Sequence, residues 1–266
     1  MSHSNKYSIE GTFLGTGTSQ GVPVIACDCS VCRSANKRDK RLRSSLLLKI
    51  NGNNIVIDAG PDFRQQMLRE EVKTLRAILL THEHVDHIFG LDDIRSFNWL
   101  QKHPTDIYAE PRVQEAIKRI FHYVFSDFKY PGVPEMKLHK IDGEPFKIEG
   151  IEFIPIRCYH HKLPVYGFRV GDLTYITDTN SIPAEELEKV YGTRILIINA
   201  LRRQKHISHF SLDEALEIVN KVQPEKTYLT HMSHEFGQYA EVQAVLPENV
   251  FIAYDGLKIE SLVQVF

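Results

Sequence analysis

The heptapeptide THEHVDH, residues 81–87, constrains this chain more than any other feature. It holds three histidines and two acids, and it directly follows the apolar run 77–80. A single histidine is usually a core or surface residue, but this many metal-capable groups directly after a buried strand indicate a metal site. Imidazole and carboxylate together suit Zn²⁺, Mn²⁺ or Fe²⁺. The candidate ligands in this turn are His82, His84, Asp86 and His87.

The turn can serve two ions rather than one. His82 and His84 are two positions apart, so in an extended chain their side chains lie on one side. Asp86 and His87 come later in the turn and can face a second position. Four side chains cannot fill two coordination spheres, so further ligands must come from distant parts of the chain. The best candidates follow predicted strands: His160, His161, Asp178 and His231. We expect surface side chains at the histidines in polar or unpatterned surroundings, His3, His103, His122, His139 and His206.

Short β-rich runs alternate with amphipathic stretches along the chain, which is typical of a layered α/β fold. Strands are predicted at 43–50, 54–58, 77–80, 136–141, 146–156 with the β-rich run 151–156 inside it, 173–177, 194–198 and 226–229. Helices are predicted at 111–121, 183–190 and 211–222. No low-complexity linker divides the chain, so we expect one domain over residues 1–266, built from two β-rich halves.

Four segments resemble a known family. THEHVDH, ITDT and LTHMSH, with VIDAG upstream, resemble the metallo-β-lactamase superfamily over nearly the whole chain. The resemblance implies an αββα sandwich of two similar halves with a binuclear site along one edge of the sheets. It implies His82, His84 and His160 as ligands of one ion, Asp86, His87 and His231 as ligands of the other, and Asp178 as the bridge. His161 stays open as the alternative to His160, and Asp58 is similar to a family acid that supports the ligand turn.

A second kind of metal site is predicted by the cysteine cluster CDCSVC, which follows FLGTGTSQGVP. Four cysteines are too few for a disulfide scaffold, and their tight spacing is unlike that of packed core cysteines. Three thiolates need a fourth ligand, and His234 lies three residues after His231 in a loop that must end near the same edge. A structural zinc near 27–32 is therefore expected, with the ligands Cys27, Cys29, Cys32 and His234. Cys158 is expected to be a buried strand residue without assigned chemistry.

The motifs also suggest a reaction. GTGTSQGVP, CDCSVC, YHHKL, TDT, SHFSLDEAL and LTHMSH are similar to one branch of the superfamily, the phosphodiesterases of the bacterial carbon-phosphorus lyase pathway, which act on cyclic ribose phosphates. We therefore expect a phosphodiesterase of small cyclic phosphodiesters with two Zn²⁺ or Mn²⁺ ions and a metal-bridging hydroxide as nucleophile. The resemblance implies His209 as proton donor to the leaving alkoxide, with Asp86 as a further catalytic residue. The alternative for His209 is an N-cap histidine before the helix at Ser211.

Charge and composition limit the alternatives. The formal net charge is -2 and the sequence has no long basic arm, which disfavours nucleic acid as a partner and a tRNA 3′-processing endonuclease as the function. The basic residues in 37–43 and 202–205 are expected to be solvated; the alternatives are a contact of 37–43 with nucleic acid and a contact of Arg202, Arg203 and Lys205 with a substrate phosphate. A non-catalytic metal-binding scaffold is disfavoured by the complete ligand set and His209. Without a signal-like N-terminus or a long apolar run, we expect a cytoplasmic protein with no membrane partner, and the resemblance suggests a homodimer.

Overall fold

The computed structural model of the protein describes residues 6–128 and 130–264, so His3 lies outside the described residues. Within them, two mixed seven-stranded sheets are formed. The strands are β1 Lys6–Gly15, β2 Ser45–Ile50, β3 Asn53–Ile57, β4 Ala77–Leu79, β5 Thr105–Ala109, β6 Met136–Lys140, β7 Phe146–Ile148, β8 Ile151–His160, β9 Leu163–Val170, β10 Leu173–Ile176, β11 Ile195–Asn199, β12 Lys226–Thr230, β13 Val250–Ile252 and β14 Lys258–Gln264. The α-helices are α1 Ser30–Arg33, α2 Phe63–Arg69, α3 Val85–Ile88, α4 Arg95–Gln101, α5 Pro111–Ile120, α6 His122–Phe125, α7 Ala184–Leu187, α8 Leu212–Val222 and α9 Tyr239–Gln243. Short 3₁₀ helices lie at Lys37–Asp39, Phe89–Ile94 and His234–Phe236.

Each sheet is part antiparallel and part parallel. The first has the order β14-β1-β2-β3-β4-β5-β6, antiparallel as far as β3 and parallel beyond it. The second has the order β13-β12-β11-β10-β9-β8-β7, parallel from β13 to β10 and antiparallel from β10 to β7. β14 pairs with β1, so the end of the chain completes the sheet of the N-terminal half.

The two sheets face each other across a shared apolar core. Phe13 and Leu48 of the first sheet and Phe168 and Tyr175 of the second belong to this core and are almost fully buried. On the outer faces, α8 packs against the second sheet, and α2, α4 and α5 pack against the first. Each sheet thus buries both of its faces, one against the other sheet and one against helices. The αββα sandwich predicted from the sequence is confirmed.

Local sequence explains the position of several elements. β4 and β11 are buried at every position, because parallel strands between two layers are covered on both faces. α5 begins with Pro111, which is well tolerated at the first helical position. α8 begins with a capping box in which Ser211 and Glu214 satisfy each other's backbone amides.

Some element predictions differ from the structure. The predicted strand 146–156 is two strands, because the chain reverses at Glu149 and Gly150, which both have positive φ. The predicted helix 183–190 is a single helical turn, α7, followed by turns. The sequence pattern also misses β1, β5, β9, β13 and β14. β1 contains Lys6, Glu10 and two glycines, residue types that are depleted in strands.

The basic run 37–43 is not the solvated loop that its composition predicts. Asp39 and Arg41 are buried. The Arg41 guanidinium donates to Thr16 Oγ1 at 2.8 Å and to the Ala253 carbonyl at 2.7 Å. These bonds fasten the segment after the cysteine cluster to the ends of two strands.

The carboxyl ends of β3, β4, β10 and β12 meet along one edge of the sandwich. In the first sheet Ile57 lies opposite Leu79, which places the residue after β3 beside the start of the THEHVDH turn. Ligands bind preferentially at such strand ends in α/β folds. No helix in the part of the chain that the structure describes has the length and apolar character needed to cross a bilayer.

Candidate metal centre

Three candidate site residues adopt left-handed backbone conformations close after strands. Asp58, Asp178 and His231 have φ values of 63°, 52° and 56°. Residues other than glycine rarely adopt this region, and such strain concentrates at functional sites, where the surrounding structure holds it. At this edge Asp178 Oδ2 lies 3.1 Å from Nδ1 of His231 and 3.2 Å from Nε2 of His87.

Asp58 holds the THEHVDH turn against β3. It is fully buried, and its carboxylate accepts hydrogen bonds from the Thr81 amide and hydroxyl, both at 2.9 Å, and from Nδ1 of His87 at 2.6 Å. Burial raises the pKa of Asp58, although His87 opposes this shift. Gly60 permits the close approach, since a Cβ there would lie 1.9 Å from the Asp86 carbonyl oxygen. Asp58 therefore links the end of β3 to the turn that carries the candidate ligands.

The histidine rings of the turn lie against His160. The ring centroids of His82 and His84 are 4.5 Å apart, and those of His84 and His160 are 5.2 Å apart. His82 also lies 4.2 Å from the ring of His87, so it stands between the two groups of candidate ligands. The structure thus brings together the three histidines that the resemblance assigns to one ion.

The second group consists of buried residues, and one ligand atom of each lies within 4.8 Å of the others: Asp86, His87, Asp178 and His231. Asp178 also belongs to a group with His160 and His209 that meets the same distance. Asp178 therefore lies between the two groups, which is the position that a bridging ligand requires.

Two rings of the turn hold their Nδ1 atoms in hydrogen bonds that point away from the cluster. Nδ1 of His82 bonds Thr81 Oγ1 at 2.9 Å, and Nδ1 of His87 donates to Asp58. Nε2 of both rings is buried without a hydrogen-bond partner. Buried polar atoms are nearly always paired, and metal-binding histidines commonly donate their other ring proton in this way. These orphaned nitrogens therefore fit a metal ion.

His160 and His161 are distinguished by their surroundings. His160 is half-buried, and its Nδ1 donates to the Ser208 carbonyl at 2.8 Å, which leaves Nε2 free. His161 is exposed, and its backbone amide donates to Oδ1 of Asn180. The structure thus places His160, rather than His161, against the ligand turn.

Buried carboxylates give this edge a negative charge. Burial alone would raise the pKa of Asp86, but His87 and His231 lower it. Burial would also raise the pKa of Asp178. His231 and His87 outweigh this effect and hold the pKa of Asp178 well below its usual range. Over residues 6–128 and 130–264, no lysine or arginine pairs with either carboxylate or with Asp58. The residues present therefore fit divalent cations, which would neutralise the buried charge.

His209 lies between the two groups of candidate ligands. Its ring centroid is 4.5 Å from that of His160 and 5.0 Å from that of His231, and its buried Nδ1 has no hydrogen-bond partner. Burial lowers the pKa of His209 to about 3, against the opposing effect of Asp178. The N-cap of α8 is Ser211, so the interpretation of His209 as an N-cap is wrong.

The three clustered cysteines surround His234. Sγ of Cys27 and Sγ of Cys29 lie 3.2 Å and 3.4 Å from Nδ1 of His234, and one ligand atom of each of the four residues lies within 4.8 Å of the others. Tetrahedral zinc with bonds of about 2.0–2.3 Å holds its ligand atoms roughly 3.5 Å apart, so this set fits zinc. The Cys32 amide lowers the pKa of Cys29 to about 6, whereas burial raises the pKa of Cys32 to about 11. Cys158 is fully buried in β8, as expected.

Sequence reasoning missed residues that contact a candidate ligand or the turn that carries the ligands. Ser44 Oγ lies 3.1 Å from Nδ1 of His231. Arg112 of α5 pairs with Glu83 inside the THEHVDH turn and donates to the Pro164 carbonyl at 2.6 Å. Glu83 could have been noticed because it lies between His82 and His84 in the sequence. No spacing rule connects Ser44 or Arg112 with the candidate ligands.

The segment before His209 contains a further histidine close to the site. The ring of His206 lies 5.2 Å from that of His209, and it is half-buried rather than at the surface. Arg202 is half-buried and pairs with Glu235 at 2.6 Å, whereas Arg203 and Lys205 are exposed as predicted. The repeated histidines of HISH, residues 206–209, were the signal that could have drawn attention to this loop.

Comparison with known proteins decides the family. The profile of a family described as "Beta-lactamase superfamily domain" matches residues 53–232. The chain belongs to the metallo-β-lactamase superfamily. Its fold implies divalent metal ions at the edge where the histidines and aspartates meet.

The chain is similar to one solved structure and to two curated proteins along much of its length. The solved structure of a new diphosphatase from the PhnP family superimposes with a TM-score of 0.92 at 37% identity, covering 98% of this chain and 100% of that one. This similarity confirms the likeness to the carbon-phosphorus lyase branch. An octanoyltransferase of Porphyromonas gingivalis is 41% identical over 248 residues, 92% of this chain and 50% of that protein. A ribonuclease Z of Nostoc punctiforme is 32% identical over 167 residues, 60% of this chain and 46% of that protein. The chain spans about half the length of the curated relatives it matches.

Proposed function

We propose that this protein is a phosphodiesterase of small phosphodiesters, cyclic phosphates among them, which works with two divalent ions, Zn²⁺ or Mn²⁺. The observation that carries the proposal is the position of His209, whose buried ring lies against the rings of His160 and His231. An alkoxide leaves phosphorus slowly without a proton, so a histidine beside a metal centre suits this reaction. Thiolates leave without such help, and the arrangement therefore favours phosphodiesters over thioesters.

The chain's own residues would hold the two ions. The proposed ligands are His82, His84 and His160 for one ion, Asp86, His87 and His231 for the other, and Asp178 between them. When bound, the ions would activate a water and neutralise the oxygens of the phosphoryl group. Asp58 would support this arrangement by fixing the proton of His87 on Nδ1, which leaves Nε2 free.

His209 must carry a proton when the substrate is bound. Burial lowers the pKa of His209 in the free protein, so the ring needs a nearby anion to hold a proton. A phosphodiester brings a negative charge, and a nearby anion raises the pKa of an imidazole. The protonated ring then donates its proton to the departing oxygen as the bond between phosphorus and that oxygen breaks.

A small substrate is favoured over a folded RNA. An open depression of about 420 Å³ lies beside the cluster and is lined by His84, His160, His161, Lys162, Leu163 and Ser208. This volume suits a small molecule. The formal net charge of -2 gives no general attraction for a polyanion. A tRNA 3′-processing endonuclease is the second candidate, because ribonuclease Z of Nostoc punctiforme is 32% identical over 60% of this chain.

The proposal includes a structural zinc and a dimer. Cys27, Cys29, Cys32 and His234 would bind one Zn²⁺ and tie the N-terminal loop to the segment that follows His231. Elemental analysis of the purified protein should find this zinc in addition to the two ions of the active site. Light scattering after gel filtration should give the mass of a homodimer.

A side-by-side assay tests the function. Purified protein with Zn²⁺ or Mn²⁺ is offered a ribose 1,2-cyclic phosphate, a 2′,3′-cyclic nucleotide, an organic diphosphate, a precursor tRNA and an octanoyl thioester. We expect the highest kcat/KM on a cyclic phosphate, its loss with a chelator and its return with metal. A higher kcat/KM on the tRNA or on the thioester would refute the proposal.

Two histidine variants control the assay. His84→Ala removes a proposed ligand and should abolish the activity and lower the metal content. His122→Ala changes an exposed histidine of α6 and should leave both unchanged.

A further inference from the structure

The loop 201–210, which carries His209, is held firmly at its two ends. The Leu201 amide donates to the Phe210 carbonyl at 2.9 Å, and the Phe210 amide donates to the Thr179 carbonyl at 2.7 Å. The middle of the loop lies outside the helices and strands, and Ile207 is 68% exposed. Backbone pairing therefore does not fix the residues just before His209. Their position depends on side chains, among them Asn180, which follows β10, and His160 at the end of β8.

Asn180 supplies one of these side chains. Its Nδ2 donates to the Ile207 carbonyl at 3.0 Å, and its Oδ1 accepts from the His161 amide at 2.8 Å. The side-chain amide of Asn180 thus contacts His161, which is next to His160, and Ile207, which is two positions before His209. Both contacts are to backbone atoms, so they hold the chain itself rather than one mobile side chain.

The second side chain is His160. Its Nδ1 donates to the Ser208 carbonyl at 2.8 Å. Two successive carbonyls of the loop, those of Ile207 and Ser208, are therefore held by the hairpin formed by β8 and β9 and the residues beside it. Removing His160 would also remove a proposed metal ligand, so only Asn180 allows the attachment of the loop to be tested separately.

We propose that Asn180 is a positioning residue that fixes the loop 201–210 and thereby places His209 against the leaving group. This inference rests on the proposed function, in which His209 donates a proton. A displacement of about 1 Å in a catalytic group can cost on the order of 10²-fold in rate. The loss should fall on substrates that need the proton and spare those that do not.

Two substitutions separate the contacts of Asn180. Asn180→Asp keeps an oxygen for the His161 amide but turns a carboxylate oxygen, which cannot donate, toward the Ile207 carbonyl. Asn180→Ala removes both contacts. The matched control is Asn249→Ala, since Nδ2 of Asn249 donates to the Pro224 carbonyl at 3.2 Å beside the start of β13, at the opposite end of the parallel strands.

The first readout compares leaving groups in the metal-loaded enzyme. With a cyclic phosphate, whose leaving group is an alkoxide, kcat should fall about tenfold or more in both Asn180 variants, with little change in KM. With a nitrophenyl diester, kcat should fall less than about threefold, because the leaving group is already stable as an anion. The Asn249 variant should match the wild type, and the metal content should stay unchanged in all variants.

The second readout is hydrogen exchange, which does not depend on activity. Amides at 206–209 should exchange about tenfold faster in Asn180→Asp than in the wild type, and not in Asn249→Ala. Equal losses of kcat on both substrates, a loss of metal, or unchanged exchange would overturn the positioning role. A wild-type enzyme without activity on any diester would instead refute the proposed function, and with it the catalytic part of this inference.

Discussion

Replacing Asp58 with asparagine should reverse the protonation of the His87 ring. The carboxylate of Asp58 accepts from the Thr81 amide at 2.9 Å and from Nδ1 of His87 at 2.6 Å. In Asp58→Asn the amide oxygen can keep the bond from Thr81, and the NH₂ group then faces Nδ1. Two donors cannot bond each other, so the proton of His87 moves to Nε2, which lies 3.2 Å from both Asp86 and Asp178. A protonated Nε2 cannot bind a metal ion.

The size of the effect follows from the same contacts. The opposite orientation of the asparagine would set its NH₂ group against the Thr81 amide, and a buried unpaired donor costs about 1–3 kcal/mol. Either orientation therefore disfavours the metal-binding form of His87. Because 1.36 kcal/mol is a factor of ten, we expect the Kd for the ion at Asp86, His87 and His231 to rise about 10–100-fold. The other position should change less, since none of its proposed ligands bonds Asp58 directly.

Competition with a chromogenic chelator measures both metal affinities in the wild type and in Asp58→Asn. Asp106→Asn is the matched control, because Asp106 also accepts from a histidine, Nε2 of His139 at 2.6 Å, but lies away from the metal centre. Thermal unfolding of the metal-free proteins shows whether the variants are equally folded. Unchanged metal affinity in Asp58→Asn, or the same loss in Asp106→Asn, would refute the reasoning.

Four further predictions follow from other parts of the structure. His209→Ala should keep both active-site ions but lower kcat for an alkoxide leaving group by about 10²-fold or more, and by less for nitrophenol; equal losses would contradict its role as proton donor. Cys29→Ser should release one zinc per chain and lower the melting temperature, and unchanged zinc by elemental analysis would remove this site. In zinc-free protein the pKa of Cys29, lowered to about 6, keeps it a thiolate at pH 7, so iodoacetamide should modify it before Cys32, with the rate falling as the pH drops below 6. Arg112→Met should free Glu83 and weaken metal binding at His84 by about tenfold, measured by the same chelator competition. The control Arg194→Met, which changes an exposed arginine paired with Glu225, should leave metal binding unchanged.

Prediction from sequence succeeded where information is local. The apolar run 77–80 followed by THEHVDH predicts both β4 and the turn after it, because burial of a strand and the metal affinity of a side chain are properties of residues close together in the chain. The capped helix α8 was predicted for the same reason. The family resemblance then supplied the αββα arrangement, which periodicity alone could not specify.

Prediction failed or stayed open where contacts join distant residues. The basic run 37–43 has the composition of a solvated loop, yet Arg41 is buried because its guanidinium finds the Ala253 carbonyl 212 residues later. The choice between His160 and His161 could not be made from two adjacent identical residues. It depends on which ring the hairpin turns toward Ser208, 48 residues further on.

The sequence by itself determined which residues could bind metal, since their types and their spacing in THEHVDH and CDCSVC are visible without a fold. Only the tertiary structure decided how they are supported. Ser44 reaches His231 across 187 residues, and Asn180 reaches Ile207 across 27. Such contacts exist because the packing of two sheets brings the ends of β3, β4, β10 and β12 to one edge. No local sequence pattern predicts these contacts, because side chains that meet through packing have no fixed spacing along the chain.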